Sequence, residues 1–463
     1  MRVVLSLMLV SLGCGGDPVR HVADAAVNPD SRVVPDASPD AGPQPVTLTI
    51  TNNGSPMAGI TVHFQNADSS VVSSTTTDAS GVASAVMVAG GYVTALDPFV
   101  LPFTAGLVTP VLDTFAGVKP GDHLVLKRTN STGITINVIA PADVNPAASN
   151  YWLATSCSLT PFGDVLSPPI NGSSSTATGA VSLYNCNGTA DVLLVTTDIN
   201  GVPVRYIYKP ATTVTNSMTL DLTPDAYVST TQRDYTWNNV VEAEGPINFN
   251  DFLLTSSGPV YGYTGRTSGN PALATVNMPA FAGALDLVHT SQQPSLISLR
   301  DLYQWDAYAA TYTTDFGAHV MPDFTAPPSL DPATHVVSWT ESTTALQPDL
   351  VFASVFVSRA SDNHTWRWRI TAPHTNASFQ FPALPTTGYD FNMVTGDSVS
   401  YDQLDLAKVP GGYDSVRAGL LSSNGPTDFV AGASGFISVS SLLQQILRPA
   451  DHAPLVQPLG NRR

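Results

Sequence analysis

Lysine, glutamate and cysteine are all scarce in this chain. Lys119, Lys127, Lys209 and Lys408 are its lysines, and Glu242, Glu244 and Glu341 its glutamates, in 463 residues. These two residue types fill most exposed helix faces, so their scarcity argues against a helical protein. Nineteen Lys and Arg against 36 Asp and Glu leave a net charge of −17, with no basic run. Such a chain offers no footprint for nucleic acid phosphate or anionic headgroups, and no nucleic acid partner is expected. Charged residues reach only 12%, against a typical ~25%. The spacings of a zinc protease helix, a nucleophile elbow, a phosphate loop and a two-cysteine zinc site are all missing. No cofactor or metal is therefore expected.

What is present is turn chemistry. There are 34 Gly and 37 Pro, with abundant Asp, Asn, Ser and Thr between short apolar alternations. The expected fold class is all-β: tandem antiparallel Ig-like sandwiches after a disordered N-terminal tether.

One cation, Arg2, precedes an apolar run from Val3 to Leu12, and small residues close it at Gly13, Gly15 and Gly16. That order is a secretory signal peptide. The run falls short of the roughly 20 residues that span a bilayer. Ser11, Leu12, Gly13 and Cys14 resemble the bacterial lipoprotein signal, with Ser11 standing where Leu is usual and Leu12 where a small residue is usual. The resemblance implies that Cys14 is acylated, becomes the first mature residue, and is the chain's one attachment to membrane. Gly15 follows it, which favours the outer membrane or cell surface. The alternative is ordinary cleavage near Gly15, with Cys14 discarded.

Either way two of the three cysteines remain. An even remainder in an oxidising compartment suggests a disulfide between Cys157 and Cys186; the alternative is two buried free thiols. From 15 to 45 the chain is rich in Pro, Asp and Ala without an aromatic residue, so it cannot bury enough apolar surface to fold. It reads as a tether. A calcium loop through Asp36 and Asp40 is disfavoured by Pro39 between them.

Folded sequence begins at Val46, where Val46, Leu48 and Ile50 alternate with threonines. The order strand, Gly-Ser-Pro, strand, Thr-Asp-x-x-Gly, strand, Gly-Gly-Tyr over 46–128 resembles carboxypeptidase regulatory-like and other bacterial Ig-like modules. That implies a small sandwich and no activity. A second β-sandwich, carrying both cysteines, is expected over 129–223. The third region, 224–326, is the least regular, with a strand-like run at Asp301–Ala307. The last, 327–450, resembles a fibronectin type III domain through Val336–Thr340, Val355–Val357 and Trp366–Ile370, with one short helix expected at Leu442–Leu447. A frayed tail at 451–463 ends the chain.

Candidate sites are few. Glu242 and Glu244 share a face if their segment is a strand, as a glycosidase pair does, but two like charges so spaced more often mark a wet strand face. His364 and His374 are the nearest pair of histidines in the folded region. Tyr303 with Trp305, and Trp366 with Trp368, alternate as an exposed sugar platform or a sandwich core does. Two functions follow: a non-catalytic surface stalk or binding protein with an unknown protein or polysaccharide ligand, or an extracellular protein that binds or acts on carbohydrate.

Overall fold

The computed structural model describes residues 44–97, 109–128, 133–144, 148–157, 164–166, 176–184, 188–386, 388–419 and 434–443. The leader with Cys14, the tether through Asp36 and Asp40, Cys186 and the tail lie outside them. The described chain is almost wholly strand, with one short α-helix at Gly412–Arg417.

Strand Val46–Asn52 follows its alternation: Val46, Leu48 and Ile50 are fully buried and the threonines between them half-buried. Asn53 and Gly54 take positive φ in the hairpin that follows, a conformation asparagine and glycine tolerate. Val46–Asn52 pairs antiparallel with Val82–Ala85 and parallel with His123–Arg128. This sheet lies over Thr61–Gln65, Gly91–Asp97 and Val111–Val118, and Leu48, Leu124 and Leu126 share one core with Phe64, Val93 and Phe115.

The second sheet of that sandwich does not stop at its own strands. It runs through twelve, in the order Gly258–Thr267, Ile247–Thr255, Leu285–Gln292, Ser298–Ala307, Gly435–Leu442, Ser398–Lys408, Leu350–Arg359, His364–Pro373, Val111–Val118, Gly91–Asp97, Thr61–Gln65, Val71–Thr76. At ~4.8 Å per strand it is on the order of 50 Å wide. Its joins between regions are backbone ladders: Arg367–Thr371 runs parallel to Val111–Phe115, and Gly435–Leu442 lies between Ser298–Ala307 and Ser398–Lys408. Three smaller sheets cover it. The Val46 sheet lies on one face. The other face carries Phe324–Asp331, Val336–Glu341 and Ser378–Gln380 over one stretch, and Thr231–Asn238, Ala272–Met278 and Thr311–Asp315 over another.

The all-β chain of sandwiches expected from the sequence is what the described residues form, and three of the sandwiches share this one sheet. Turn residues mark where strands end and carry no information on which distant strand they pair with.

The remaining sandwich is built from its own two sheets. Gly133–Pro141 pairs with Thr176–Tyr184 and Thr219–Asp221, and faces Asn150–Thr155, Thr189–Thr197 and Pro203–Thr213. It docks on the third region through Tyr208, whose ring stacks on Phe281 at 3.8 Å, and through the Tyr206 hydroxyl, which donates to the Ala280 carbonyl.

Three local expectations are corrected. The third region is regularly stranded, and its alternation is hard to read because inward positions hold the Arg233, Asp251 and Asp286 ion pairs where apolar residues are usual. Glu242–Glu244 forms a 3-10 turn and not a strand. Leu442 closes the strand Gly435–Leu442, so no helix starts there; 444–447 lie outside the described residues.

Candidate functional site

The aromatic pairs do not form an open platform. Trp305 is 1% exposed and Trp366 and Trp368 are 0% exposed. Trp305 packs with Leu287 and Ile437, and opposite it Gly435 is required: a Cβ there would meet the indole at 2.5 Å. Trp366 lies under the Arg359 guanidinium, 5.0 Å from its ring, while Trp368 packs on Phe381 and donates Nε1–H to Thr114 Oγ1 at 2.9 Å. These are core residues, driven inward by their large apolar area. Arg367 and Arg369 point to the opposite face and pair with Asp402 and Asp113.

Tyr303 is half-buried on the same sheet face as Trp305, its ring parallel to His289 at 4.3 Å. His289 Nε2 lies 2.7 Å from Asp301 Oδ1. Nearby, Asp405 is buried beside Gln403 and Ser441; burial first, and the charge of Asp301 after it, push its carboxyl up to about 6. The Tyr303 hydroxyl is pushed up by burial and by the same two carboxylates.

The other sequence candidates are dispersed. Glu244 is spent on Arg300, which also binds Asp323. His364 stacks on Tyr389 and His374 contacts Glu341. These histidines bound the strand His364–Pro373, on the order of 30 Å apart along an extended chain. Among the described residues no three His, Cys, Asp or Glu side chains are grouped to hold a metal. Cys157 follows Asn150–Thr155, its sulfur 3.7 Å from Thr155 Oγ1. Its expected partner Cys186 is outside the described residues.

The most site-like feature is a pocket that no sequence motif marks. It lies at one end of the sandwich closed by Thr231–Asn238, in about 140 Å³ lined by Arg233, Asp286, Gln304, Asp306, Thr311 and Tyr312, among others. The strand Thr231–Asn238 places Arg233, Tyr235 and Trp237 on one inward face at a spacing of two. Arg233 is 2% exposed. Its guanidinium donates to Asp251 Oδ2 at 2.8 Å and also pairs with Asp286. Three rings surround it, Tyr235 at 4.9 Å, Tyr308 at 5.3 Å and Tyr312 at 5.8 Å. Tyr312 donates to Gln304 Oε1 at 3.0 Å. Burial raises the Asp251 carboxyl although Arg233 and the Tyr235 hydroxyl oppose it.

This network is incomplete. Arg233 Nε, Asp251 Oδ1 and Asp286 Oδ1 are buried without a hydrogen-bond partner. An unmatched buried donor or acceptor costs about 1–3 kcal/mol, and two of the three side chains, Arg233 and Asp286, line the pocket. The sequence signal was an arginine in phase with two aromatics on a strand.

No family model matches the chain, and no curated protein matches it. Solved structures it resembles include the Bacillus anthracis TIE protein, at 10% identity and TM-score 0.14 over 59% of this chain and 50% of that one. The shaft pilin SpaA of Lactobacillus rhamnosus GG matches at 12% identity and TM-score 0.15, over 40% and 97%. The tip fimbrial protein Mfa3 of Porphyromonas gingivalis matches at 12% and 0.15, over 58% and 98%. This chain thus spans half the length of the first of these. Likeness this distant assigns no function.

Proposed function

We propose that the protein is a non-catalytic lipoprotein of the cell envelope, held through Cys14 and a tether, that acts as a surface stalk or binding protein. The observation that carries this reading is the twelve-stranded sheet. Joining three of the sandwiches by backbone ladders makes them one continuous sheet, which suits a part that must hold a ligand site away from the surface without bending. The buried charges support it as well: Arg128, Arg300, Arg359 and Arg417 are each matched to carboxylates from other segments of the chain, which ties those segments together.

The test is fractionation of wild type and Cys14→Ser in a bacterial host that acylates lipoproteins. The reading expects wild type in the outer-membrane fraction, digestible by protease added to intact cells, and the variant released. A full-length, unlipidated variant that still pellets with the membrane contradicts it. On the catalytic side, purified protein is expected to turn over no polysaccharide, glycoside or casein; turnover lost in a Glu242→Gln/Glu244→Gln variant contradicts that part.

A further inference from the structure

We propose that the pocket beside Arg233 binds the end of a neutral polyhydroxylated ligand, a sugar unit presented by a glycan. This deepens the binding role above but does not rest on where the protein is anchored.

Charge balance selects the class. Arg233 is paired with Asp251 and Asp286, so the buried charges are spent on one another and offer a partner to neither an anion nor a cation, while Asp306 is exposed to water and accepts from the Ala307 amide. What remains is a neutral guest. The unmatched atoms then set its chemistry: Arg233 Nε offers a donor and Asp286 Oδ1 an acceptor, each side chain at least nine-tenths buried. A hydroxyl both accepts and donates, so one group, or two on adjacent carbons, satisfies both. The volume is several times what one water needs and too small for a folded segment. The rim residues Gln304, Thr311 and Thr313 are polar as well, and Gln304 is fixed by Tyr312. A site prepared this way loses little entropy on binding.

The test titrates the full-length protein with glucose, mannose, galactose and N-acetylglucosamine, followed by saturation-transfer NMR and calorimetry. At least one is expected to saturate. Ala309→Trp, which fills the mouth from an exposed position, and Gln304→Leu are each expected to weaken that sugar at least tenfold, with an unchanged urea midpoint for Ala309→Trp. Three results overturn the proposal: none of the four sugars saturates, binding is the same in both variants, or glucosamine or glucuronate binds more tightly than its neutral counterpart. All are read on purified protein, so a failure here is separate from a failure of the fractionation test.

Discussion

Arg369 donates from Nη2 to Asp113 Oδ2 at 3.0 Å, joining two residues 256 positions apart. They face each other in the parallel ladder where the first sandwich meets the last. Asp113 also holds the buried Arg128, whose Nε binds Asp97 at 2.8 Å. One carboxylate therefore neutralises arginines from both regions.

Removing that carboxylate is expected to be costly. Asp113→Ala leaves Arg128 buried with half its partners, and breaking a buried pair costs about 3–5 kcal/mol. The loss should show in chemical denaturation followed by circular dichroism, and as one transition rather than in one sandwich alone. The pH dependence has a definite sign. Burial alone would raise the Asp113 carboxyl, but Arg128 and Arg369 bring it below its ordinary value. Its contribution is present above pH ~4, where the unfolded carboxyl is ionised, and is lost as pH falls through the lower folded value.

Asp405 has the opposite sign. Its carboxyl is raised to about 6, so the folded state holds a proton that the unfolded chain has released. Stability from this group is full below the unfolded value near 3.8 and is lost as pH rises through about 6. A shift of about two units corresponds to about 3 kcal/mol. Asp405→Asn is expected to stabilise the protein at pH 7.5 by up to about that amount and to give no gain at pH 4, read as the difference in urea midpoints. Equal effects at both pH values would contradict it.

Cys157 and Cys186 are expected to be joined. A loop of this size is worth about 3–4 kcal/mol through the denatured state. Non-reducing peptide mapping should recover the linked pair, and reduction should lower the melting of the second sandwich. Free thiols on both residues of exported protein would contradict the expectation.

The indoles differ in a way that substitution can read. Trp368 donates to Thr114, whereas Trp366 Nε1 is buried without a partner. Trp368→Phe should therefore cost about 1 kcal/mol more than Trp366→Phe, since it removes a buried hydrogen bond to the Thr114 hydroxyl, which keeps Thr94 at 2.9 Å as its other partner. Neither substitution is expected to change sugar binding.

Much of the strand content was legible. Val46, Leu48 and Ile50, or Val336 to Thr340, alternate cleanly because one face meets core and the other water. Val111–Val118 was not: almost all its residues are buried, Asp113 and Thr114 among them, so it has no alternation to read. The third region hid its strands for a related reason, since Arg233, Asp251 and Asp286 point inward where an apolar residue is usual. The pocket was illegible because its parts come from five strands and loops spread over 231–313. The aromatic pairs were legible as residues but not in orientation, since alternation gives two faces without saying which is covered.

The central claim is that the sandwiches form one body through the shared sheet. Native-state hydrogen exchange at the amides of Val111–Phe115 and Arg367–Thr371 tests it most directly. The account predicts that both strands open with the same free energy across a denaturant series, and that Asp113→Ala lowers the protection of both by the same amount. Protection that falls in Val111–Phe115 while Arg367–Thr371 keeps its wild-type value would contradict it.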